Sequence, residues 1–320
     1  MNNSPRIVFM GTPEFAVESL RKLVENDYRI VGVVTTPDKP MGKHHSVLQV
    51  SPVKEYALSQ NIPLLQPEKL KDSVFLEQLS AWNADLQIVV AFRMLPEAVW
   101  NMPRLGTFNL HASLLPQYRG AAPVQWAIIN GEKETGVTTF FLTHSIDTGK
   151  IIARERIPIG PTDTAGIVHD RLMRLGAQLV IKTVDTISTG QVNLIEQETL
   201  VVNESDLKSA PKIFNETCEI DWNKTTEEVY NFIRGLSPYP AAWTTLQTNN
   251  GEPIHCQIFE SEKIIQAHQL SPGSIDSIDK KCLKIATSDG FIQVKSIRPA
   301  GKRRMSIEDF LRGNSYLLFD

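Results

Sequence analysis

The residues best suited to chemistry in this chain lie between positions 109 and 149. Residues 107–111 have the pattern of a short strand, and because side chains on a strand alternate between faces, Asn109 and His111 should share one face. The carboxylate of Asp147 follows in a later loop. An amide that donates to an oxyanion, an imidazole that moves a proton and a carboxylate that orients the imidazole suit acyl transfer. Such chemistry needs neither a metal ion nor a covalent nucleophile.

Each of these three residues also has an ordinary structural role. Asn109 could close a turn, His111 could be a hydrogen-bonded core histidine, and Asp147 could cap the turn before Gly149. Taken singly, each residue favours its structural role. A fold has no packing reason, however, to place all three beside a loop rich in proline and glycine, so the combination favours a catalytic site.

A longer motif surrounds these residues. The order Asn-x-His, Ser-Leu-Leu-Pro-x-x-Arg-Gly and Asp-x-Gly, found at 109–111, 113–120 and 147–149, resembles the family of formyltransferases that use 10-formyltetrahydrofolate. The resemblance implies that Asn109, His111 and Asp147 are catalytic and that 10-formyltetrahydrofolate is the co-substrate. It also implies a folate pocket, formed by Ser113, Leu114, Leu115, Pro116, Phe92 and Arg93.

The segment 89–96 departs from the family pattern, in which Ala-Tyr-Gly and a few residues precede Leu-Pro. Phe92 and Arg93 replace Tyr-Gly, and the loop is one residue shorter. Backbone groups after the strand could still hydrogen-bond a pterin ring, whereas the Arg93 side chain is an unexpected occupant. An aromatic residue beside a Leu-Pro turn is also typical of ordinary core packing.

Alternating strand and helix patterns in the first half of the chain would position these residues. We predict an α/β fold with a doubly wound, mostly parallel, Rossmann-like sheet, because short apolar runs alternate with helical patterns. Ligands bind at the carboxyl ends of strands in such sheets, so Gly11, Arg93 and His111 should lie along one rim. The predicted strands are 6–10, 29–35, 85–92, 107–110, 136–142 and 150–157, and the predicted helices are 13–26, 52–60, 73–82 and 164–187.

The turn formed by Gly11, Thr12 and Pro13 follows the first predicted strand. It lacks the Gly-x-Gly-x-x-Gly spacing of a dinucleotide site, so nicotinamide binding is not expected. Proline at the entry of a helix explains the turn structurally. The family resemblance implies that these three residues lie near the aminoacyl end of the substrate.

Length and composition limit the number of domains and the class of protein that this chain can be. A chain of 320 residues is long enough for two domains. Because 42% of the residues are apolar, 22% are charged and the net charge is −3, disorder, membrane integration and a globally basic nucleic-acid binder are disfavoured. Cys218, Cys256 and Cys282 form no Cys-x-x-Cys pair, which favours reduced thiols, and no apolar stretch approaches the length of a membrane span. We expect a cytoplasmic monomer.

The pattern changes after about residue 190, where a polar stretch without periodicity begins. We predict a formyltransferase catalytic domain over 1–190, a linker over 191–212 and a small OB-like β-barrel over 213–320, which the resemblance implies binds tRNA. Short strands separated by Gly and Asn turns are typical of such barrels. A helix is predicted over 226–236, and strands are predicted over 243–246, 254–259, 283–287 and 291–297.

Positive charge is concentrated in a few segments. The proline-rich, basic segment 37–54 resembles the loop that methionyl-tRNA formyltransferases insert after the second strand, with Lys43 where those proteins usually carry arginine. The run 295–304 holds five cations and no acid, which suits a phosphate backbone. Either segment could instead be a solvated surface. The residues expected to contact the acceptor substrate are Lys43, Arg119, Lys208, Lys212, Lys302, Arg303 and Arg304, together with the turn at Gly11, Thr12 and Pro13.

The expected reaction moves the formyl group of 10-formyltetrahydrofolate to the α-amine of methionyl initiator tRNA, which then serves translation initiation. The main alternative is a nucleotide-sugar N-formyltransferase, because the family shares its catalytic residues and they do not define the acceptor. A smaller purine-pathway formyltransferase would not need the C-terminal part of the chain. The intact set of Asn109, His111 and Asp147 argues against an RNA-binding module without catalysis.

Overall fold

The computed structural model describes residues 4–41, 47–247, 252–279 and 281–313 of the chain. The chain forms two compact units. The first comprises residues 1–120, 136–157 and 169–209, and the second comprises residues 121–135, 158–168 and 210–320. Residues 191–209, which belong to the predicted linker, fall within the first unit. The domain boundaries at 190 and 212 stay a prediction.

Strands and helices are interspersed up to residue 188, as the sequence pattern predicts, although some strands follow one another directly. The strands are β1 (Ile7–Gly11), β2 (Ile30–Val34), β3 (Lys39–Met41), β4 (Val47–Gln49), β5 (Leu64–Leu65), β6 (Leu86–Val90), β7 (Thr107–His111), β8 (Arg119–Gly120), β9 (Glu134–Phe141) and β10 (Ile151–Pro158). The helices are α1 (Glu14–Glu25), α2 (Pro52–Ser59), α3 (Ser73–Ala81), α4 (Glu97–Trp100), α5 (Pro123–Ile129) and α6 (Ala165–Ser188).

A seven-stranded sheet in the order β10-β9-β7-β6-β1-β2-β5 is the centre of the first unit. The pairs β6–β7, β1–β6, β1–β2 and β2–β5 are all parallel, so the prediction of a mostly parallel, doubly wound sheet is confirmed. Every residue of β1 and β6 is buried. Strands covered on both faces are continuously apolar, and for this reason the sequence locates them to within one or two residues. In the described part of the chain, no helix has the length and apolarity needed to cross a membrane.

Strand β9 departs from the parallel pattern, because it pairs with β7 in the antiparallel direction. Asn109 lies opposite Phe140 and His111 lies opposite Thr138. The chain leaves β9 beside the start of β7, where the Leu142 amide donates to the Thr107 carbonyl at 2.8 Å. The loop 142–150, which contains Asp147, therefore begins at the opposite end of β7 from His111.

The basic segment 37–54 contains more regular structure than the sequence indicates. Strands β3 and β4 pair antiparallel within it, while Lys43 lies outside the described residues. The base of the segment is held by polar contacts: the Lys54 ammonium donates to the Asp38 carboxylate at 2.5 Å, and the Gln66 amide donates to the same carboxylate at 2.9 Å. These contacts hold the pKa of Asp38 below its usual value, with the Lys54 hydrogen bond as the largest cause.

A curled antiparallel sheet forms the second unit, which confirms the predicted small barrel-like domain. Its strands have the order β12-β13-β16-β15-β14, with β17 paired to β16, and β13 carries register shifts between Ile258 and Ser261 that bend it. The elements are β11 (Ser209–Ala210), α7 (Thr226–Leu236), β12 (Ala242–Leu246), β13 (Ile254–Ile265), β14 (Ile275–Asp279), β15 (Cys282–Ala286), β16 (Gly290–Pro299), β17 (Met305–Ser306) and α8 (Ile307–Gly313).

Helix α7 closes the core of the second unit. It begins with a capping box in which Thr225 and Glu228 satisfy each other's backbone amides, and it spans the predicted residues. Helix α5 packs against α7 so closely that a Cβ added at Gly235 would lie 2.7 Å from Ile129 Cγ1. Burial raises the pKa of the Cys256 thiol to about 12, so this core cysteine stays a protonated thiol at neutral pH.

Gly149 provides a test of how tightly the loop 142–150 is held against the sheet. A Cβ at this position would lie 1.7 Å from the Phe141 backbone oxygen, which cannot move without breaking the strand. Gly149→Ala should therefore lower the free energy of unfolding by about 1–3 kcal/mol, measured by chemical denaturation. Gly313→Ala, where an added Cβ would meet no non-neighbouring atom of the described residues within 4 Å, is the matched control and should leave stability nearly unchanged. Equal stability of the two variants would contradict the close packing.

Candidate active site

Strand β7 carries the first two candidate catalytic residues. Asn109 is half-buried and His111 is buried, and alternation along β7 places both on one face. Within the described part of the chain, the Asn109 carboxamide donates no hydrogen bond to a protein group. Its N–H groups are therefore available to a ligand, as the hypothesis of oxyanion stabilisation requires.

Both ring nitrogens of His111 face protein groups. Nε2 lies 2.8 Å from the Tyr118 carbonyl oxygen, and because a carbonyl can only accept, Nε2 carries a hydrogen. Nδ1 lies 3.9 Å from Asp147 Oδ2. This separation is longer than a direct hydrogen bond, and the carboxylate faces Nδ1 across it. This geometry favours a role for His111 in proton handling, and it leaves the Asn109 amide as the available donor on the strand.

Asp147 reaches the site from an unusual backbone conformation. Its φ of 53° lies in the left-handed region, which few residues other than glycine adopt. Its Oδ2 atom accepts a hydrogen bond from the Gly120 amide at 3.0 Å and is the same atom that faces His111. The carboxylate thus binds a residue distant in sequence, instead of capping the turn before Gly149. The structure therefore does not show the purely structural role considered for Asp147, a cap on the turn before Gly149.

The turn after β7 uses most of its polar groups internally. The Ser113 hydroxyl donates to the Gln117 carbonyl at 2.6 Å, the Leu115 amide donates to Thr138 Oγ1 at 3.1 Å, and Arg154 donates to the Leu115 carbonyl at 3.1 Å. Leu115 and Pro116 are buried, whereas Leu114 is partly exposed. A folate contact from this turn would therefore be mainly apolar and would involve Leu114.

A residue that the sequence analysis missed completes this part of the site. The buried Gln197 side chain donates to the carbonyls of Asp147 and Gly149, at 2.9 and 2.8 Å. Its Oε1 atom accepts from both Nε and Nη2 of Arg119, at 3.1 and 2.7 Å. Arg119, expected to bind the acceptor substrate, is thus hydrogen-bonded within the protein. Gln197 follows a polar stretch without periodicity, so nothing local in the sequence marks it.

Arg93 also makes internal contacts. Its guanidinium donates to the carbonyls of Pro67 and Glu68, and it lies 5.6 Å from the centre of the Phe92 ring. Burial lowers the pKa of Arg93. The side chain therefore fastens the segment after β5 instead of occupying a ligand pocket. The backbone turn at Ala91, with a φ of 47°, stays a candidate for contacts to a ring system.

The turn between β1 and α1 is tightly packed. A Cβ at Gly11 would lie 2.6 Å from Ala16 Cβ, and Pro13 occupies the N-cap position of α1. Thr12 Oγ1 is buried and has no hydrogen-bond partner among the described residues. A buried hydroxyl without a partner is costly, so this atom is a candidate for a substrate contact.

The basic residues differ in how far they are already paired. Lys295 pairs with Glu262 at 2.9 Å and Arg304 pairs with Glu260, so two of the five cations in the run 295–304 face acids of β13. Lys302 and Arg303 are exposed, and neither has an ion pair with a described residue. In the segment around residue 210, the Lys208 amide donates to Gln117 Oε1 and the Lys212 ammonium lies 5.1 Å from the Phe214 ring centre.

Comparison with known proteins agrees with this fold. Residues 5–184 match the family described as formyl transferase, and residues 212–315 match the family described as formyl transferase, C-terminal domain. The chain therefore belongs to the formyl transferase family, which confirms the family expected from the motifs. Members of this family are enzymes that transfer a formyl group.

Relatives with high sequence identity to this chain are methionyl-tRNA formyltransferases. The methionyl-tRNA formyltransferase of Azobacteroides pseudotrichonymphae is 62% identical over 98% of this chain and 97% of that protein. The methionyl-tRNA formyltransferase of Bacteroides thetaiotaomicron is 61% identical over 96% of this chain and 95% of that protein. Among solved structures, the N-formyltransferase of Helicobacter canadensis, crystallised with folinic acid and dTDP-3-aminofucose, has a TM-score of 0.64 at 20% identity, over 94% of this chain and all of that chain. That similarity concerns the fold alone.

Asp147→Asn tests whether the carboxylate acts in catalysis. Asparagine tolerates the left-handed conformation and can still accept from the Gly120 amide, so folding should be unchanged. Loss of the charge that faces His111 should lower kcat for formyl transfer by about 10²-fold or more, measured in a steady-state formylation assay. Asp27→Asn, at an exposed aspartate with a φ of 57°, is the matched control. Turnover near the wild-type rate would refute the catalytic role.

Proposed function

We propose that this chain transfers the formyl group of 10-formyltetrahydrofolate to the α-amine of methionyl initiator tRNA. The observation that carries the chemistry is the meeting of Asn109, His111 and Asp147 within the first unit. The acceptor is supported by methionyl-tRNA formyltransferases that are about as long as this chain and 61–62% identical to it. The folate donor is supported by the motif that contains these three residues.

The reaction begins when the neutral α-amine attacks the formyl carbon. A carbon–nitrogen bond forms, the carbonyl electrons move to oxygen, and a tetrahedral oxyanion results. The Asn109 amide donates to this oxyanion, and removal of one such donor typically costs about 10²–10³ in rate. The bond from carbon to N10 of the folate then breaks, and N10 takes up a proton as the amine loses one.

The proton from the amine leaves through Asp147. Asp147 Oδ2 is held by the Gly120 amide, whereas Oδ1 accepts no hydrogen bond from a described residue. Oδ1 is therefore the oxygen that receives the proton, directly or through water. Nδ1 of His111 lies 3.9 Å from Oδ2, so a bridging water or a small approach of the two groups would let a proton pass between them.

The surface of the second unit supports a nucleic-acid acceptor over a nucleotide sugar. Lys212, Lys302 and Arg303 are exposed cations, and the binding of nucleic acid is dominated by such charges. The similarity to the N-formyltransferase of Helicobacter canadensis, crystallised with dTDP-3-aminofucose, is 20% in identity and concerns the fold alone, so it does not favour a sugar acceptor. The deciding experiment incubates the protein with 10-formyltetrahydrofolate and charged initiator tRNA, with a nucleotide-linked amino sugar as the parallel acceptor. Formylation of the sugar alone would refute the proposal.

Asn109 and His111 should act as one unit, because both project from the same face of β7 toward the same reacting group. Asn109→Ala and His111→Ala should each lower kcat, and the loss in the double variant should be smaller than the product of the single losses. The comparison requires single-turnover rates of all four proteins. Asn109→Ala combined with Lys302→Ala is the control pair, whose effects should multiply. Multiplicative effects of the Asn109 and His111 changes would argue against a shared site.

Lys302 and Arg303 should contact the tRNA backbone, because both are exposed and unpaired within the described residues. Replacing both with alanine should raise the KM for tRNA and reduce the slope of log affinity against log salt by about 1.5, with kcat little changed. Arg304→Ala should change the slope less, because Arg304 already pairs with Glu260. The measurement is the KM for tRNA at several salt concentrations, for the wild-type protein, the double variant and Arg304→Ala. An unchanged slope in the double variant would indicate a merely solvated surface.

A further inference from the structure

We propose that Gln197 and Arg119 are positioning residues that hold the Asp147 loop in its reactive geometry. This proposal rests on the proposed function, because it assumes that Asp147 acts in the reaction. Both residues lie in the first unit, and neither contacts Asp147 through the carboxylate itself. Their effect is on where the loop backbone lies, and therefore on where the carboxylate points.

The Gln197 amide is fully used in this arrangement. A side-chain amide has two N–H donors and two acceptor lone pairs. The two donors bind the carbonyls of Asp147 and Gly149, and the oxygen accepts two N–H groups from Arg119. Reversing the amide would turn its N–H groups toward a guanidinium that has only donors. The partners therefore allow a single orientation of Gln197.

Apart from the close packing at Gly149 and the Gly120 bond to Asp147, the hydrogen bonds within the loop are weak. Within it, the Thr148 hydroxyl donates to the Ser145 carbonyl at 3.2 Å and lies 3.3 Å from the Thr143 hydroxyl, and both contacts are exposed. Exposed and long hydrogen bonds contribute little to holding a backbone. Asp147 is moreover in the left-handed region, which aspartate tolerates at some cost in conformational energy. The buried Gln197 side chain holds the loop backbone in this conformation by binding the carbonyls of Asp147 and Gly149.

Three consecutive residues connect this support to the catalytic groups. The Tyr118 carbonyl accepts from His111, the Arg119 side chain donates to Gln197, and the Gly120 amide donates to Asp147. Displacement of Arg119 would therefore disturb the partners of both His111 and Asp147. This arrangement gives the Arg-Gly pair of the motif a role within the protein, in contrast to the substrate contact expected from the sequence.

The position of Gln197 is itself fixed by the sheet. Two residues earlier, Ile195 exchanges two backbone hydrogen bonds of 2.9 Å with Ile151, the first residue of β10. A short 3-10 helix, Gln197–Leu200, begins at the glutamine. The backbone next to Gln197 is thus anchored, through Ile195, to the strand that directly follows the Asp147 loop.

Gln197→Glu is the most direct test. Glutamate has nearly the same shape and keeps an oxygen for Arg119, but it presents an acceptor to the carbonyls of Asp147 and Gly149. We expect kcat to fall by about 10–10²-fold, since a displacement near 1 Å can cost about 10²-fold, while KM for both substrates changes by less than about threefold. Gln191→Glu, an exposed glutamine in the same segment, introduces the same charge and should be neutral.

A double-variant cycle separates positioning from general destabilisation. If Gln197 acts through the Asp147 carboxylate, then Gln197→Glu should cause little further loss in the Asp147→Asn background. A loss that multiplies fully in that background, or a rise in KM with kcat unchanged, would overturn the proposal. Should Gln197→Glu fail to fold, Arg119→Lys replaces it, because lysine keeps the charge and cannot bind Oε1 through two nitrogens. A higher KM for tRNA in Arg119→Lys would instead indicate the substrate contact.

A second measurement does not depend on the acceptor. In Gln197→Glu, amide hydrogen exchange at Gly120 should be at least about tenfold faster, because that amide loses its bond to Asp147. If the wild-type protein fails to formylate methionyl-tRNA, the proposed function is wrong, and the exchange rate still decides whether Gln197 holds the loop. Unchanged exchange at Gly120 would refute the positioning role whatever the activity.

Discussion

The antiparallel pairing of β9 with β7 is the constraint on which the site depends. The pairings among β7, β6, β1, β2 and β5 are parallel, so loops that follow these strands emerge at one edge. Because β9 runs the other way, the chain leaves it beside Thr107, and the loop that follows must bring Asp147 to His111 at the other end of β7. A loop with this path needs support along its length. Close packing at Gly149 and the buried amide of Gln197 supply it.

The sequence predicts the parts of this structure that local pattern determines. Strands β1 and β6 are buried on both faces, and apart from Gln87 their residues are apolar or glycine, so a nearly continuous apolar run marks each strand. Helix α7 is amphipathic and has a capping box, and its bounds are the predicted ones. The placement of Asn109 and His111 on one face follows from the two-residue period of β7, without knowledge of the rest of the fold.

The parts that could not be predicted depend on contacts between distant residues. The direction of β9 is not encoded in its own pattern, since a buried strand is apolar whichever way it runs. Gln197 lies in a polar stretch, where no periodicity distinguishes a buried amide from a solvated one. Likewise, composition alone makes the run 295–304 strongly basic, whereas the pairing of β13 with β16 brings Glu262 to Lys295, and Glu260 of β13 pairs with Arg304.

The position of helix α5 has a consequence for how this chain can be divided. Although α5 lies in the first half of the chain, it belongs to the second unit and packs against α7, with Ile129 next to Gly235. A fragment that ends near residue 190 would keep α5 and lose α7. The apolar face of α5 would then be open to water, and exposed apolar surface of this kind promotes aggregation. Because α7 in turn packs against β13 and β16, shortened versions of the gene should keep the second unit as a whole.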